Sequence, residues 1–178
     1  MQVHGNFDIV ANNGTVLNIR VPNVTTNFNK VREFNTTAGH PCPTEEQRNI
    51  VVDRPQRVNL RLKLIKEEVS ELEESVQQNN FTEIKDALGD ILYVVYGMGL
   101  EFGIDLDNVF SLIHESNMTK FCKTEEEAQK TVEWYKENEK RYKSPTYRKA
   151  EGCEYWVVYN ADDDKILKSI NYHPVDLN

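Results

Sequence analysis

The chain has 178 residues, of which 39% are hydrophobic and 28% are charged, and its formal net charge is −8. This composition predicts one soluble domain with a sizeable core, and it argues against general nucleic-acid binding, which needs a basic surface. The longest apolar run, residues 87–100, is too short and too charged to cross a membrane. The N-terminus shows no secretion signal and the three cysteines are widely spaced, so we expect a cytoplasmic protein with free thiols.

The first predicted elements are a β-hairpin at residues 6–21, turning at Asn13-Gly14, and a short helix at residues 24–36. A loop rich in glycine and proline follows, and residues 45–56 carry no clear pattern. Two longer helices are then predicted at residues 58–78 and 82–101 from their apolar periodicity. On the first of these helices, a narrow apolar stripe is expected to face the core: Leu62, Ile65, Val69, Leu72 and Val76.

Two further helices are predicted beyond Gly103, which is expected to end the helix at 82–101. Asp105 can cap a third core helix at about 106–121, and Thr124 with Glu127 forms a capping-box pattern for a fourth, ending near Arg141.

The chain ends in a strand-type run, residues 155–159, followed by an acidic turn and a return over residues 165–170. These residues predict a second hairpin, which is too small to fold alone and should pack on the helices. The fold class is therefore mainly α: a helical bundle over about 24–143, a C-terminal extension over about 154–178, and small hairpins at both ends of a single domain, 1–178.

A lone carboxylate inside the apolar run is the strongest functional signal. Asp90 is the only charged residue between Ala87 and Leu100, and burying it is costly unless it is paired. Glu83 and Asp86 precede it on the same helical face, because side chains three, four and seven residues apart are neighbours on a helix.

The preceding helix carries Glu67, Glu68 and Glu71. Glu68 with Glu71, and Asp86 with Asp90, have the spacing that brings two carboxylates to one point from each of two facing helices, and oxygen ligands suit Mg²⁺. Glu67 can orient or deprotonate a water. The alternative is a solvated acidic face, as expected for Glu73 and Glu74, and spacing alone leaves both readings open.

These motifs resemble the all-α nucleoside triphosphate pyrophosphohydrolases, which include MazG-like proteins, dimeric dUTPases and phosphoribosyl-ATP pyrophosphohydrolases. The resemblance rests on Glu-Glu-x-x-Glu at 67–71, on the phrase from Asp86 to Gly97, on residues 102–105 and on residues 116–120. It covers about residues 28–122 and is strongest to the phosphoribosyl-ATP pyrophosphohydrolase-like branch.

The resemblance implies hydrolysis between the α- and β-phosphates of a nucleoside triphosphate or related nucleotide, giving a monophosphate and pyrophosphate. It implies Mg²⁺, with Mn²⁺ as the alternative ion, and it implies Glu68 and Glu71 as metal ligands, with Glu67 beside them. Asp90 matches the Asp of the family's Glu-x-x-Asp motif. The Glu of that motif would fall at Ala87, which cannot bind a metal, so we expect Asp86 to replace it, with Glu83 second.

Other residues are candidates for nucleotide contacts. Asn117 and Lys120 match the family's Asn-x-x-Lys, although an exposed helix end is the plain alternative. Arg61 can meet a phosphate or be an ordinary surface arginine. Lys168 and Tyr172 belong to a hairpin that either covers the nucleotide, with Lys168 at the phosphates and Tyr172 at the base or sugar, or only shields a bundle edge.

Two side chains are expected mainly to pack. Phe34 can stack on a base, but a place in the core is favoured, and His114 is expected to pack or to hydrogen-bond.

One chain supplies few helices and only a narrow apolar seam, and helices of this kind usually complete their bundle with a partner chain. We therefore expect a homodimer or a dimer of dimers. The predicted function is nucleoside triphosphate pyrophosphohydrolase; the alternative is a catalytically impaired nucleotide-binding or scaffold protein, for which Ala87 is the best support. A carboxylate-bridged metal oxidase is disfavoured because the helices at 58–78 and 82–101 contain no histidine.

Overall fold

A computed structural model of the chain describes residues 25–178 and, ahead of them, the backbone of two strands. Strand β1 (Asn6–Val10) pairs antiparallel with β2 (Val16–Arg20), with Phe7 opposite Ile19. This pairing is the predicted N-terminal hairpin. Its predicted turn at Asn13-Gly14 lies outside the described residues.

Helices dominate the described part of the chain, which confirms the mainly α fold class. Six are present there: α1 Asn27–Thr37, α2 Ile50–Asp53, α3 Pro55–Gln77, α4 Phe81–Phe102, α5 Leu106–Met118 and α6 Glu125–Asn138. Five of them lie within a few residues of their predicted places. The short α2 falls in the segment that sequence left unassigned.

The helix ends follow the capping residues. The Asn80 side chain accepts a hydrogen bond from the backbone N–H of Glu83 at 3.4 Å, at the start of α4. Gly103 ends α4 in the left-handed conformation, with φ of 69°. The Thr124 hydroxyl accepts from the N–H of Glu127 at 3.1 Å, as the capping-box pattern predicts for α6.

The C-terminal sheet has three strands, so the predicted two-stranded hairpin is incomplete. Strands β3 (Pro145–Lys149), β4 (Trp156–Asn160) and β5 (Lys165–Ile166) lie in that order and are antiparallel. The predicted return to Ile170 is wrong, because the backbone leaves the sheet after Leu167. The N–H of Lys168 then donates to the Tyr135 hydroxyl, and the N–H of Ser169 to the carbonyl of Lys120.

The chain divides into two compact units, Met1–Asp107 and Asn108–Asn178. In the first unit, Phe28, Val31 and Leu100 form a buried cluster between α1 and α4. In the second unit, the sheet packs on α6 around a core made of six buried residues: Cys122, Ala128, Val132, Tyr135, Val158 and Leu167. Organisation as one domain over 1–178 stays a prediction.

The predicted core-facing stripe of α3 is not buried, and this prediction is wrong for a single chain. Leu62 and Val69 are each 40% exposed and Val76 is 57% exposed. The adjacent, more polar stripe faces α4 instead, since Arg61 and Ser75 are buried along it. Ile65 and Leu72 of the stripe are half-buried, and Ile65 lines an apolar pocket with Val95 and Met98 of α4, so the exposed part of the stripe is Leu62, Val69 and Val76.

In the part of the chain that the structure describes, no single helix is both long enough and apolar enough to cross a membrane. The helices α4 and α5 meet these two criteria only when they are counted together, and a sharp bend separates them.

Candidate active site

Two antiparallel helices, α3 and α4, build the candidate site. Small residues let them approach closely: Ser75 and Ala87 are buried, and a Cβ on Gly97 would lie 3.1 Å from Nη1 of Arg61. On α3, Arg61 and Ser75 are two heptads apart, and Glu68 lies midway between them. The spacing therefore places Glu68 on the face of α3 that meets α4.

The side chain of Glu68 lies among several other carboxylates. Its pKa is raised above the ordinary glutamate value, first by partial burial and then by four neighbouring carboxylates: Glu71, Asp90, Glu67 and Asp86. The four charges that act on Glu68 are those of the other predicted catalytic and metal-binding residues. The fold therefore brings the predicted carboxylates of α3 and α4 into one electrostatic neighbourhood.

A cleft of about 410 Å³ opens between the same helices at Glu71, and Glu68 and Asp90 are not among its lining residues. Glu71 lines it from α3, and Glu83, Asp86 and Ala87 line it from α4. Ala87 is buried at the seam and lines the same cleft as Glu71. Asp86 and Glu83 flank this position, so each stands where it can substitute for the motif's missing carboxylate.

The donor chemistry fits a hard divalent cation, because all five side chains offer carboxylate oxygens and their mutual repulsion is relieved by a positive ion. As the side chains stand, no three metal-binding groups among the described residues converge on a single point. Glu67, Glu71, Asp86 and Asp90 are solvent-exposed, so their rotamers are free to change. Asp90 is thus exposed in a single chain, and not buried as its apolar neighbours suggested.

Arg61 lies in a buried ion cluster near the other end of the seam. Glu101, 1% exposed on α4, accepts hydrogen bonds from Arg57 at 2.5 and 2.7 Å and from Nε of Arg61 at 3.2 Å. The alternative that Arg61 is an ordinary surface residue is therefore wrong. Its Nη2 is a buried donor without a partner among the described residues, and its predicted phosphate contact stays a prediction.

Burial alone would raise the pKa of Glu101, but the hydrogen bonds and charges of Arg57 and then Arg61 outweigh it and lower that pKa. Sequence analysis missed Arg57 and Glu101. The signal available was a second isolated carboxylate, Glu101, at the end of the apolar run that holds Asp90.

Asn117 and Lys120 belong to the second unit, at the end of α5. Lys120 Nζ donates to Oδ1 of Asn117 at 2.6 Å, so the two side chains of the predicted pair do act together. Both remain predicted nucleotide contacts.

The C-terminal candidates also lie close to each other. Lys168 Nζ stands over the ring of Tyr172, 4.3 Å from its centroid. The hydroxyl of Ser116 donates to the carbonyl of His173 at 2.8 Å, and its oxygen lies 3.3 Å from the Tyr172 hydroxyl, which fixes the segment against α5. Their role in covering a nucleotide stays a prediction.

Phe34 and His114 are both exposed, so the favoured core role of Phe34 is wrong for one chain. Phe34 is 55% exposed and meets Tyr93 of α4 edge to face, with 5.6 Å between ring centroids. Its ring thus stands on the surface beside the residues that follow Asp90.

Comparison with known proteins identifies a family for this chain. Residues 31–117 match the family described as phosphoribosyl-ATP pyrophosphohydrolase, a span that contains all the carboxylates named above. The chain is also 34% identical, over an alignment 229 positions long, to Uncharacterized protein L479 of Acanthamoeba polyphaga mimivirus, and the alignment covers 81% of this chain and 91% of that protein. Family membership points to hydrolase activity of the pyrophosphohydrolase type. The helical fold, the matched span and the α3–α4 carboxylates together show that this chain belongs to the phosphoribosyl-ATP pyrophosphohydrolase family.

Proposed function

We propose that the protein is a Mg²⁺-dependent nucleoside triphosphate pyrophosphohydrolase. The observation that carries the proposal is the carboxylate neighbourhood of Glu68, in which the charges of Glu67, Glu71, Asp86 and Asp90 act on one partly buried carboxyl group. A site of this kind is unfavourable without a cation and is suited to phosphate chemistry with one.

The metal would be held by four carboxylates: Glu68, Glu71, Asp86 and Asp90. When bound, Mg²⁺ (or Mn²⁺) supplies positive charge that neutralises phosphate oxygens. Glu67, beside the ligands, accepts a proton from the attacking water. Water adds to one phosphorus, the bond to the α–β bridging oxygen breaks, and the products are a nucleoside monophosphate and pyrophosphate.

Asn117 and Lys120 are proposed to contact the phosphates or the sugar as one hydrogen-bonded pair. The cation of Lys120 is already oriented by Asn117, which lowers the entropy lost when it meets an anion. Arg61 is proposed to contact a phosphate through its unpartnered Nη2.

We further propose that the active form is a homodimer or a dimer of dimers. Exposed apolar side chains run along the open face of α3 at Leu62, Val69 and Val76, and Leu88 and Leu92 are exposed on α4. A row of exposed apolar side chains is typical of an interface and costly to leave in water. Sedimentation of the wild type and of Val69→Asp tests this, and we expect the variant to dissociate.

The experiment for the enzymatic proposal is a Mg²⁺ titration of pyrophosphate release with a panel of nucleoside triphosphates. Wild type should release pyrophosphate in proportion to bound Mg²⁺, and Glu68→Gln should not. Glu73→Gln is the matched control, because Glu73 is an exposed glutamate on the same helix that does not line the cleft. Equal release by wild type and Glu68→Gln would contradict the proposal.

One observation favours a second candidate, a nucleotide-binding or scaffold protein with impaired turnover. Ala87 occupies a buried place in the seam where the family motif has a carboxylate. If nucleotide binds in the presence of Mg²⁺ but no pyrophosphate is released by the wild type, this candidate replaces the first.

A further inference from the structure

After strand β5 the chain continues as a strap, residues 168–173, which we call the C-terminal strap. Its first part is bonded to α6: the backbone N–H of Lys168 donates to the Tyr135 hydroxyl at 3.1 Å, and that of Ile170 donates to the Thr131 hydroxyl at 3.3 Å. The strap is therefore anchored to the core of the second unit before it meets the end of α5.

The far end of the strap is bonded to the last turn of α5. The Ser116 hydroxyl donates to the carbonyl of His173 at 2.8 Å, and the His173 N–H donates to the Thr119 oxygen at 2.9 Å. The Thr119 hydroxyl donates in turn to the carbonyl of Ser116 at 2.7 Å. Two hydroxyls thus bind the backbone of His173, and they stand on either side of Asn117 in the sequence.

The middle of the strap contacts Lys120 directly. The backbone N–H of Ser169 donates to the carbonyl of Lys120 at 3.1 Å. Ser169 is itself fixed, because it is 4% exposed, its hydroxyl donates to Glu127, and its carbonyl accepts from the N–H of Tyr172 at 2.9 Å. Hydrogen bonds from one strap therefore reach Lys120 and the residues on both sides of Asn117.

The Asn117–Lys120 pair lies at a helix end that has few bonds of its own. The N–H of Lys120 donates to the carbonyl of Asn117 at 3.1 Å, in the tighter three-residue pattern that often ends a helix. The carbonyls of a helix's last turn have no partner inside the helix, and such ends fray. The strap supplies a partner for the Lys120 carbonyl and so restricts this fraying.

We propose that the C-terminal strap positions the Asn117–Lys120 pair for the nucleotide, with Thr119 and Ser169 as positioning residues that act through Lys120. A cation that is fixed before it meets an anion loses less entropy on binding, so the strap should strengthen nucleotide binding. The inference rests on the proposed function only in taking the pair as a nucleotide contact, and it does not require hydrolysis.

Thr119→Val tests the strap without changing the pair. Valine keeps the shape of threonine but cannot accept the bond from the His173 N–H or donate to the Ser116 carbonyl. Thr119→Ser keeps the hydroxyl and should bind nucleotide like wild type. Thr146→Val is the matched control, because Thr146 is a half-buried threonine of β3 that pairs with Tyr159 and not with the strap.

The measurement is a calorimetric titration of the full-length protein, with Mg²⁺, against α,β-methylene analogues of the ribo- and deoxynucleoside triphosphates, which cannot be cleaved at the bridge. Lys120→Ala should raise Kd about 10-fold or more, the loss of one charged hydrogen bond. Thr119→Val should raise Kd at least about 3-fold, within the range for residues coupled in one hydrogen-bond network. The double variant should bind no weaker than Lys120→Ala alone, because a positioning residue has no effect once the residue it positions is removed.

Four results would overturn the proposal. They are no binding of any analogue by wild type, wild-type affinity in Lys120→Ala, equal Kd values for Thr119→Val and Thr146→Val, and effects of Thr119→Val and Lys120→Ala that simply multiply in the double variant. The last result would show a general loss of structure. Ser116→Ala, which removes the other bond to His173, takes the place of Thr119→Val in this cycle if that variant does not fold.

Pyrophosphate release from cleavable nucleotides is measured separately, so the two proposals can fail independently. A wild-type protein that binds the analogues but releases no pyrophosphate would refute hydrolysis, and the coupling between Thr119 and Lys120 would still decide the role of the strap. A wild-type protein that releases pyrophosphate but shows no such coupling would refute the strap alone.

Discussion

Arg57 holds Glu101 by two hydrogen bonds, from Nε to Oε1 at 2.5 Å and from Nη2 to Oε2 at 2.7 Å, and so ties the first turn of α3 to the last turn of α4. Arg61 adds a third bond to the same carboxylate. Glu68 lies seven residues beyond Arg61 on the same face of α3. The ion cluster therefore sets the register in which the carboxylates of α3 meet those of α4.

Glu101→Gln should destabilise the protein strongly, because it leaves two arginine charges at the seam without a counter-charge. The expected loss is about 3–5 kcal/mol at neutral pH, measured by chemical denaturation. Glu46→Gln is the control, since Glu46 pairs with Arg48 on the surface and should contribute no more than about 1 kcal/mol.

The ion pair between Arg57 and Glu101 makes the stability of the protein depend on pH. The pKa of Glu101 is lowered in the folded state, so its stabilising effect is complete above the unfolded glutamate pKa of about 4.3 and is lost as the pH falls through the folded value. The stability difference between wild type and Glu101→Gln should therefore shrink in acid. A difference that grows below pH 4 would contradict this assignment.

Gly103→Ala should cost more than Gly39→Ala, although both glycines have the same left-handed backbone, with φ of 69° and 70°. The conformation itself costs about 1–2 kcal/mol for alanine at either place. At Gly103 the new Cβ would also lie 2.0 Å from the carbonyl oxygen of Glu45, whereas a Cβ on Gly39 would have no atom of the described residues within 4 Å. Melting of the two variants side by side isolates the clash, and equal Tm values would contradict it.

Asp90→Asn should abolish hydrolysis with little loss of fold. The charge of Asp90 acts on Glu68, so its removal relieves repulsion in the metal-free protein while weakening the cation site. We expect kcat to fall about 100-fold or more and the metal-free Tm to stay level or rise. If the purified variant turns over substrate as fast as wild type, Asp90 is not part of the active site.

Asp86→Ala and Glu83→Ala decide which carboxylate stands in for the one missing at Ala87. Both line the cleft, but the charge of Asp86 acts on Glu68 and that of Glu83 is not among the causes of its shift. Asp86→Ala should raise the Mg²⁺ concentration for half-maximal activity at least about 10-fold, and Glu83→Ala less. If both substitutions have small and equal effects on the Mg²⁺ requirement, neither carboxylate contacts the metal.

Lys168→Ala tests the proposed cover. If Lys168 meets the phosphates, KM for the nucleotide should rise about 10-fold, the loss of one charged hydrogen bond, with Tm unchanged. Lys165→Ala is the matched control, because Lys165 also stands over a tyrosine ring, that of Tyr142 at 5.4 Å. Unchanged KM and kcat in a stable Lys168→Ala protein would leave the segment a structural role only.

Sequence predicted the helices well where local chemistry marks their ends. Gly103 and Thr124 each cap a helix as predicted, because capping depends on residues within one turn. Strand β3 was missed because Pro145–Lys149 is polar and begins with proline, and it becomes a strand only by pairing with β4.

The packing face of α3 could not be read from its apolar residues. Hydrophobic periodicity marks every face that is removed from water, including a face that another chain covers, so it selected the Leu62–Val69–Val76 stripe. The contact with α4 instead uses Arg61, Glu68 and Ser75, because Glu101 neutralises the arginines and Gly97 makes room. The carboxylates were predicted from spacing and family resemblance, whereas the Arg57–Glu101 pair depends on contacts between residues 44 positions apart.

The most direct measurement for the central claim is ³¹P NMR of a nucleoside triphosphate incubated with the protein and Mg²⁺. The account predicts that the triphosphate signals are replaced by those of pyrophosphate and a nucleoside monophosphate in equal amounts, and that Glu68→Gln leaves the triphosphate intact. Orthophosphate with a nucleoside diphosphate as the products, or the same products from Glu68→Gln, would contradict it.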